Sequence, residues 1–386
     1  MLFAGGFPPK MGEAVFMTGH FDFYNDRTFS FTFPSGYDKW IAVVVSGGGG
    51  AGTLGGGGGG GLLYNKIPYN VSDAPTIWVQ TGKRGQGSHN SAGADGGSSM
   101  IRVADASGQY IMLARAGKAG EHNPNANSAN TWRSSGQFYH AYTQTRTLDA
   151  TNFGGHGGGG SAATASGGSI NAGGGGAGGW SANGNTGVDL QSGRGAGNNG
   201  SFQAGKHGEE GGGGGGAGNQ GGSNDPGGGG GGGVNIYPPS GYQSGRVGSW
   251  GANGNGYTGG FGGANSTTHQ GSGSSSAGAG AGSSQQTGSG GGTTVTYPSG
   301  GGTYYYGKNG QDATTSESGD GGFPGGGSGA GNRAGNAGDG GGGAVRIIFW
   351  NSGYESVNGA PAWPTTRTQA SDITEEHFLN NVRHAV

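Results

Sequence analysis

Residues 39–61 read KWIAVVVSGGGGAGTLGGGGGGG, an apolar run that passes directly into two runs of glycine. The apolar part, Lys39 to Ser46, predicts a largely buried β-strand because it is short and rich in β-branched residues. The glycine part decides the architecture, because similar runs recur along the chain. These runs are Gly47 to Gly50, Gly55 to Gly61, Gly157 to Gly160, Gly173 to Gly176, Gly211 to Gly216, Gly227 to Gly233 and Gly340 to Gly343.

Glycine accounts for 105 of the 386 residues, whereas proline accounts for only 13. Collagen is excluded, since it needs glycine at every third position and abundant proline. Two interpretations of the glycine runs remain. The runs form either a flexible linker or extended helices with three residues per turn, whose backbones pack closely because no Cβ separates them. Aromatic residues recur between the runs, and disordered segments are typically poor in them. The sequence therefore favours ordered packing.

The composition also limits the partners and the chemistry. Charged residues make up 10% of the chain and the formal net charge is −2, which argues against a basic surface for nucleic acid. The chain has no cysteine, so disulfides and thiolate metal sites are excluded. No apolar run approaches the roughly 20 residues that cross a bilayer, and no secretory signal is visible at the start. We expect no nucleic-acid partner and no insertion into a membrane.

Strand patterns frame the glycine-rich region. Thr28 to Phe33 alternates phenylalanine with Thr and Ser, which predicts three Phe rings on one face, and we expect this strand to form a hairpin with Lys39 to Ser46. Ser99 to Asp105 and Gln109 to Ala116 predict a second hairpin. The late apolar run Ala344 to Trp350 needs partners, and the N-terminal strands are the nearest in type.

We therefore expect an all-β fold: a small antiparallel β-sandwich at residues 1–116, completed by a strand at 344–350. Residues 117–343 form a long inserted glycine-rich body of packed polyglycine II-type helices with loops. Residues 351–386 form an anchoring tail, extended near Trp363, with a short helix from Ser371 or Asp372 through about His384. Such a helix is marginal alone and should dock on a partner. The candidate docking residues are Trp363, Arg367, Ile373, Phe378, Leu379 and Val382.

The search for catalytic motifs predicts no enzyme, no cofactor and no metal site. GxGxxG-like strings are expected by chance among so many glycines, and no βαβ pattern accompanies them. The histidines are scattered, and no Gly-x-Ser-x-Gly lies between a strand and a helix. Tyrosines on loops are the more useful signal, because they give a large contact area at low entropic cost. The candidate recognition residues are Tyr237, Tyr242, Tyr304, Tyr305, Tyr306 and Lys308. Alternatively, these rings pack against the glycine lattice.

The string FSFTFPSGY at 29–37, followed by WIAVVV at 40–45 and SGGGG at 46–50, resembles the opening of glycine-rich domains in tailed-phage fibre and appendage proteins. WVQTG at 78–82, GGSSMI at 96–101 and GGGGAVRII at 340–348 follow in the order that such domains show. The tail WPTTRT at 363–368 is similar to C-terminal stretches of glycine-rich virion proteins in marine phages.

The resemblance implies a structural protein located in a virion, with other virion proteins and a host surface receptor as partners. By analogy to fibres, it also implies a homo-oligomer, with a trimer favoured. A purely architectural capsid, neck or tail decoration protein is the first alternative. An extracellular glycine-rich matrix or cell-wall protein is the second.

Overall fold

A computed structural model describes residues 8–18, 24–52, 55–89, 91–120, 174–178, 233, 236, 319–329 and 337–361. It describes the backbone alone at 153–154, 170–171, 219–220, 293–296, 303–306 and 382–385. The strands are β1 (Met11–Met17), β2 (Arg27–Thr32), β3 (Lys39–Val45), β4 (Leu62–Asn65), β5 (Tyr69–Asn70), β6 (Thr76–Thr81), β7 (Ser99–Val103), β8 (Tyr110–Ala114), β9 (Phe153–Gly154), β10 (Ile170–Asn171), β11 (Asn219–Gln220), β12 (Thr293–Thr296), β13 (Thr303–Tyr306), β14 (Ala344–Trp350) and β15 (Val382–Ala385). The helix α1 spans Ser352–Asn358, and a 3-10 turn spans Val71–Asp73.

The main strands form two sheets, so the expected mainly-β fold is confirmed. The first sheet has the order β15-β1-β14-β3-β4-β9, with β5 paired to the start of β3, and the second has the order β2-β6-β7-β8. The predicted hairpin of β7 and β8 is present. The late strand β14 lies between β1 and β3 and is antiparallel to both, which confirms that it takes N-terminal partners.

The predicted hairpin of β2 and β3 is wrong. β2 pairs with β6 in the second sheet, where Phe29 lies opposite Val79, while β3 lies in the first sheet. Burial explains the separation. β2 alternates between covered and exposed residues, as expected in a sheet with one face open, whereas every residue of β3 after Lys39 is buried.

The two sheets share one core. The ring centroid of Phe31, on β2, lies 5.7 Å from that of Phe349 on β14. Phe33 lies 5.6 Å from Trp40 on β3. Phe29 packs against the same cluster and is partly buried. The predicted common face of the three phenylalanines is therefore confirmed, and it faces the first sheet.

The opposite face of the first sheet is covered by the glycine-rich part of the chain. Ala177 and Ile236 are buried there beside Val43 and Ile348, and Phe323 packs against the same cluster. This second cover explains why β3 has a continuous apolar sequence, since a strand buried on both faces shows no alternation.

The C-terminal part differs from its prediction. α1, which the sequence analysis did not anticipate, begins after Asn351, whose side chain accepts a hydrogen bond from the Tyr354 N–H at 2.8 Å. The predicted helix through about His384 is wrong at its end, because β15 runs parallel to β1 there. An open sheet edge supplies backbone hydrogen bonds that a short, marginal helix must otherwise form alone. In the described part of the chain, no helix is both long and apolar enough to span a bilayer.

Candidate functional site

The segment 47–52, which continues from β3, donates its backbone hydrogen bonds to three neighbouring segments in turn. The donor and acceptor pairs are Gly47 to Gly97, Gly48 to Gly341, Gly49 to Gly58, Gly50 to Ala94, Ala51 to Gly338 and Gly52 to Gly55. Their donor–acceptor distances lie between 2.8 and 3.1 Å. The partner segment therefore recurs at every third residue, whereas side chains along a β-strand repeat every two residues.

The carbonyl groups of segment 47–52 accept hydrogen bonds from three other segments, and the donor segment again recurs at every third residue. The donor and acceptor pairs are Gly117 to Gly47, Gly85 to Gly48, Ser328 to Gly49, Gly120 to Gly50 and Ser88 to Ala51. Segment 47–52 is thus the centre of a bundle, which we call the glycine bundle. Its described members are 46–52, 55–61, 82–88, 93–97, 117–120, 174–178, 319–329 and 337–343. The bundle therefore contains residues both of the predicted sandwich, 1–116, and of the predicted glycine-rich body, 117–343.

Close approach of the backbones explains the need for glycine in the bundle. A Cβ placed on Gly48 would lie 2.0 Å from the carbonyl oxygen of Gly326, and one on Gly49 would lie 2.0 Å from that of Lys118. Real Cβ atoms do not come this close to backbone oxygen. Any residue other than glycine at these two positions would force the segments apart and break the hydrogen bonds between them.

Buried hydroxyl groups join the sheets to the glycine bundle. They belong to Thr18, Ser46, Thr81 and Ser99, which lie where strands meet glycine segments. The Ser99 hydroxyl donates to the Val45 carbonyl at 2.7 Å and accepts from the Gly82 N–H at 2.8 Å. Sequence analysis missed these residues. The available signal was a serine or threonine between an apolar run and glycine, as at Ser46 and Thr81.

Charged groups clamp the side of the bundle. The Arg84 guanidinium lies 3.1 Å from a carboxylate oxygen of Asp320 and 2.9 Å from one of Asp339, and thereby joins three bundle segments. The Tyr24 hydroxyl donates to Asp339 at 2.8 Å. Partial burial and this bond to a carboxylate both raise the pKa of Tyr24. Among the residues that the structure describes, no group of three or more His, Cys, Asp or Glu could hold a metal ion.

A buried ion pair lies on the face of the first sheet that Ala177, Ile236 and Phe323 cover. Arg346 on β14 donates through Nε to the carboxylate of Glu13 on β1, and through Nη1 to the Ile236 carbonyl at 2.8 Å. Burial raises the pKa of Glu13, an effect that the positive charge of Arg346 opposes. Arg346 thus fixes Ile236, a residue of the glycine-rich region, to the first sheet.

Only part of the predicted recognition site lies within the described residues. Tyr304, Tyr305 and Tyr306 are consecutive residues of β13, which pairs antiparallel with β12 in a separate two-stranded sheet. Only the backbone is described there. The predicted recognition residues Tyr237, Tyr242 and Lys308 lie outside the described residues.

Of the predicted docking residues, one lies within the described residues and the others lie outside them. Val382 lies in β15, opposite Glu13 of β1. The others, Trp363, Arg367, Ile373, Phe378 and Leu379, lie outside the described residues. The structure therefore places one docking candidate, at the edge of the first sheet.

Comparison with known families gives a match over more than half of the chain. The sequence model of a family described as glycine-rich domain matches residues 25–255, which is more than half of the chain. The matched range begins just before β2 and contains the central segment of the glycine bundle. No curated protein matches the sequence.

Proposed function

The chain belongs to the glycine-rich domain family, and from that premise we propose that it is a structural protein of a virion, fibre- or adhesin-like, which presents loops for attachment to a host surface. The observation that carries the proposal is the three-residue repeat of hydrogen bonds around segment 47–52. It gives the glycine runs a structural purpose, as the ordered body that the resemblance to phage fibre and appendage proteins implies.

We further propose that the glycine bundle is of the polyglycine II type and that the two sheets form a β-sandwich. An extended helix with three residues per turn directs successive N–H groups to three different neighbours, which is the pattern of Gly48, Gly49 and Gly50. The core shared by Phe31 and Phe349 supports the sandwich.

This architecture suits recognition by loops. Ordering a backbone costs on the order of 1–2 kcal/mol per residue, and a loop held at both ends by a rigid body loses less entropy when it binds. In this proposal the connections between glycine segments contact the receptor, and the β12–β13 hairpin with Tyr304 to Tyr306 is the first candidate. Tyrosine suits such a surface because it buries a large area with few rotatable bonds.

The proposed role is non-enzymatic, and the proposed partners are other virion proteins, further copies of the chain and a host receptor. A purely architectural role is the second candidate. The pairing of β15 with the edge of β1 within the chain favours it, because it shows that the tail can add to a sheet edge, and strand addition is also a common way to join proteins. In both cases the tail beyond α1 acts as the anchor.

Exchange of residues 300–308 between phages of different host range tests the adhesin role. We expect the host range to follow the exchanged residues. A matched exchange of the β7–β8 turn, residues 104–108, should leave host range unchanged, because this turn belongs to the sandwich. If particles carry the exchanged protein at normal occupancy and retain their host range, the case for the hairpin is lost.

Location in the particle tests the wider proposal. A labelled copy of the chain should be visible at one defined place in intact virions by electron microscopy. A tail position would favour the adhesin role, and a capsid or neck position would favour the architectural one. Absence of the labelled chain from purified particles would overturn both.

A further inference from the structure

The outer face of the second sheet carries a row of four residues, one from each strand. In strand order these residues are Ser30, Trp78, Arg102 and Tyr110, each opposite the next. Val79, which follows Trp78 on β6, lies in the core shared with the first sheet, so the row lies on the opposite face. Ser30 is exposed and the other three are half-buried. Rigid aromatic rings and arginine are the side chains that most often anchor a bound partner, so the row is a candidate binding surface.

Arg102 is a cation held by the two rings, and no carboxylate pairs with it. Its guanidinium carbon lies 3.9 Å from the centroid of the Tyr110 ring and 5.6 Å from that of the Trp78 ring. Its Nη atoms donate hydrogen bonds to the Tyr110 hydroxyl and to the Ala106 carbonyl. The salt bridges among the described residues do not include Arg102. These contacts fix the guanidinium and leave its positive charge unneutralised.

Two aspartates flank the row, and neighbouring groups engage both of them. Asp105, in the turn after β7, accepts hydrogen bonds from the N–H and the hydroxyl of Ser107 at 2.8 and 2.7 Å. Asp26 accepts a hydrogen bond from the side-chain amide of Gln80 at 3.0 Å. Neither carboxylate pairs with Arg102, so the face offers a fixed cation to an anionic ligand. Arginine suits this role because its planar guanidinium pairs with carboxylates and also stacks on aromatic rings.

The size of the face favours a small ligand over a folded protein. Four strands of five or six residues span roughly 15 by 20 Å, on the order of 300 Å². A standard protein interface buries about 800 Å² on each partner, so this face alone is too small for one. The margin of the face is uncharged and rich in hydroxyl groups, since Thr28, Ser30 and Thr32 are exposed on β2. Hydroxyl groups both donate and accept hydrogen bonds, which matches the hydroxyl groups of a sugar.

We propose that the outer face of the second sheet binds a polysaccharide of uronic acids. The C–H face of a sugar ring is apolar and packs on the Trp78 ring, whose electron-rich face attracts the hydrogen atoms. A uronic acid carries its carboxylate on the sugar ring itself. A sugar stacked on Trp78 therefore presents its carboxylate to Arg102 on the next strand, and its hydroxyl groups to Ser30 on the other side. The inference goes beyond the role proposed for the β12–β13 hairpin, because it names a second surface and the class of its ligand.

Isothermal titration of the purified full chain tests the proposal, with short oligomers of galacturonic acid and of mannuronic acid as the probes. We expect at least one oligomer to bind. Its methyl ester, which keeps the sugar ring and has no charge, should bind about tenfold more weakly. Arg102→Gln should bind the acid and the ester with equal affinity. Trp78→Ala should weaken the binding of both, because stacking of the sugar ring does not depend on the carboxylate.

The control is Lys10→Gln, which removes a positive charge from an exposed residue before β1 and should leave the affinity unchanged. Circular dichroism checks that each variant is folded. An equal loss of affinity in Lys10→Gln would mean that bulk charge holds the oligomer, and it would overturn the proposal. Equally tight binding of poly-glutamate, or no binding of either oligomer, would also overturn it. The hairpin and the virion role would still be decided by their own tests, which measure host range and position in the particle.

Discussion

The buried guanidinium of Arg346 on β14 donates to the buried carboxylate of Glu13 on β1, and the two residues are almost completely shielded from water. The same guanidinium binds the carbonyl oxygen of Ile236. One side chain therefore holds together the strands β1 and β14 and a residue of the glycine-rich region, Ile236.

Loss of the arginine should be severe. In Arg346→Met the Glu13 carboxylate remains buried without its cation, so we expect the free energy of unfolding to fall by about 3–5 kcal/mol. Urea denaturation measures this change. Because a well-packed apolar pair often replaces a buried ion pair at little cost, Glu13→Met combined with Arg346→Met should recover much of the loss. A single variant as stable as the parent would show that the pair does not hold these elements together.

Gly48 tests the packing of the glycine bundle. Gly48→Ala places a methyl group 2.0 Å from the Gly326 carbonyl oxygen, and overpacking of this kind costs about 1–3 kcal/mol or more. The matched control is Gly342→Ala, where the nearest atom, Cβ of Thr18, lies 3.2 Å away. Thermal denaturation should show a clearly lower midpoint for Gly48→Ala than for the control. Equal midpoints would mean that the segments are not closely packed.

The buried hydroxyl of Ser99 should also be important for stability. Ser99→Ala leaves the Gly82 N–H without its acceptor in a buried position, which costs about 1–3 kcal/mol. Ser30→Ala is the control, since Ser30 is exposed on β2. Chemical denaturation of the two variants should differ by this amount. If Ser99→Ala matches Ser30→Ala, the hydroxyl groups do not secure the junction of sheet and bundle.

Acid should weaken the contact between α1 and the first sheet. Hydrogen bonds from Lys39 and from the Trp350 indole lower the pKa of Glu355 below its ordinary value of 4.5. The folded carboxylate therefore holds its proton less tightly than the unfolded one, so its stabilisation is present above pH 4.5 and is lost as pH falls through the lower folded value. Glu355→Gln should be less stable than the parent at about pH 7, with the difference shrinking toward about pH 3. A difference that is constant with pH would contradict this assignment.

The sequence predicts much of the sheet framework because apolar strands need apolar partners. The alternation of Phe29 and Phe31 fixed the inner face of β2, and the late apolar run Ala344 to Trp350 required N-terminal neighbours. The pairing of β2 with β6 was not predicted, since a sequence neighbour such as β3 is an equally good partner on the apolar pattern alone.

The hydrogen-bond partners of the glycine runs were not predictable from the sequence either. Their composition permits close packing, but a run of identical residues carries no register. The hydrogen-bond partners of Gly47 to Gly50 therefore depend on where β3 and β14 position the glycine segments that adjoin them. The helix expected through His384 failed at β15 because the competing hydrogen bonds lie on β1, hundreds of residues away. Of the candidate recognition and docking residues, the structure places Tyr304 to Tyr306 and Val382. The roles of all these residues remain predictions.

The glycine runs of the described residues form an ordered body rather than a linker. Native-state hydrogen exchange of the Gly48, Gly49 and Gly50 amides measures this order, with the Val43 to Val45 amides of β3 as the internal standard. All three glycine amides are buried donors with acceptors at 2.8–2.9 Å, so they should be protected as strongly as those of β3. Exchange of these glycine amides at the rate of an unstructured chain, with β3 still protected, would mean that the segment is a flexible linker.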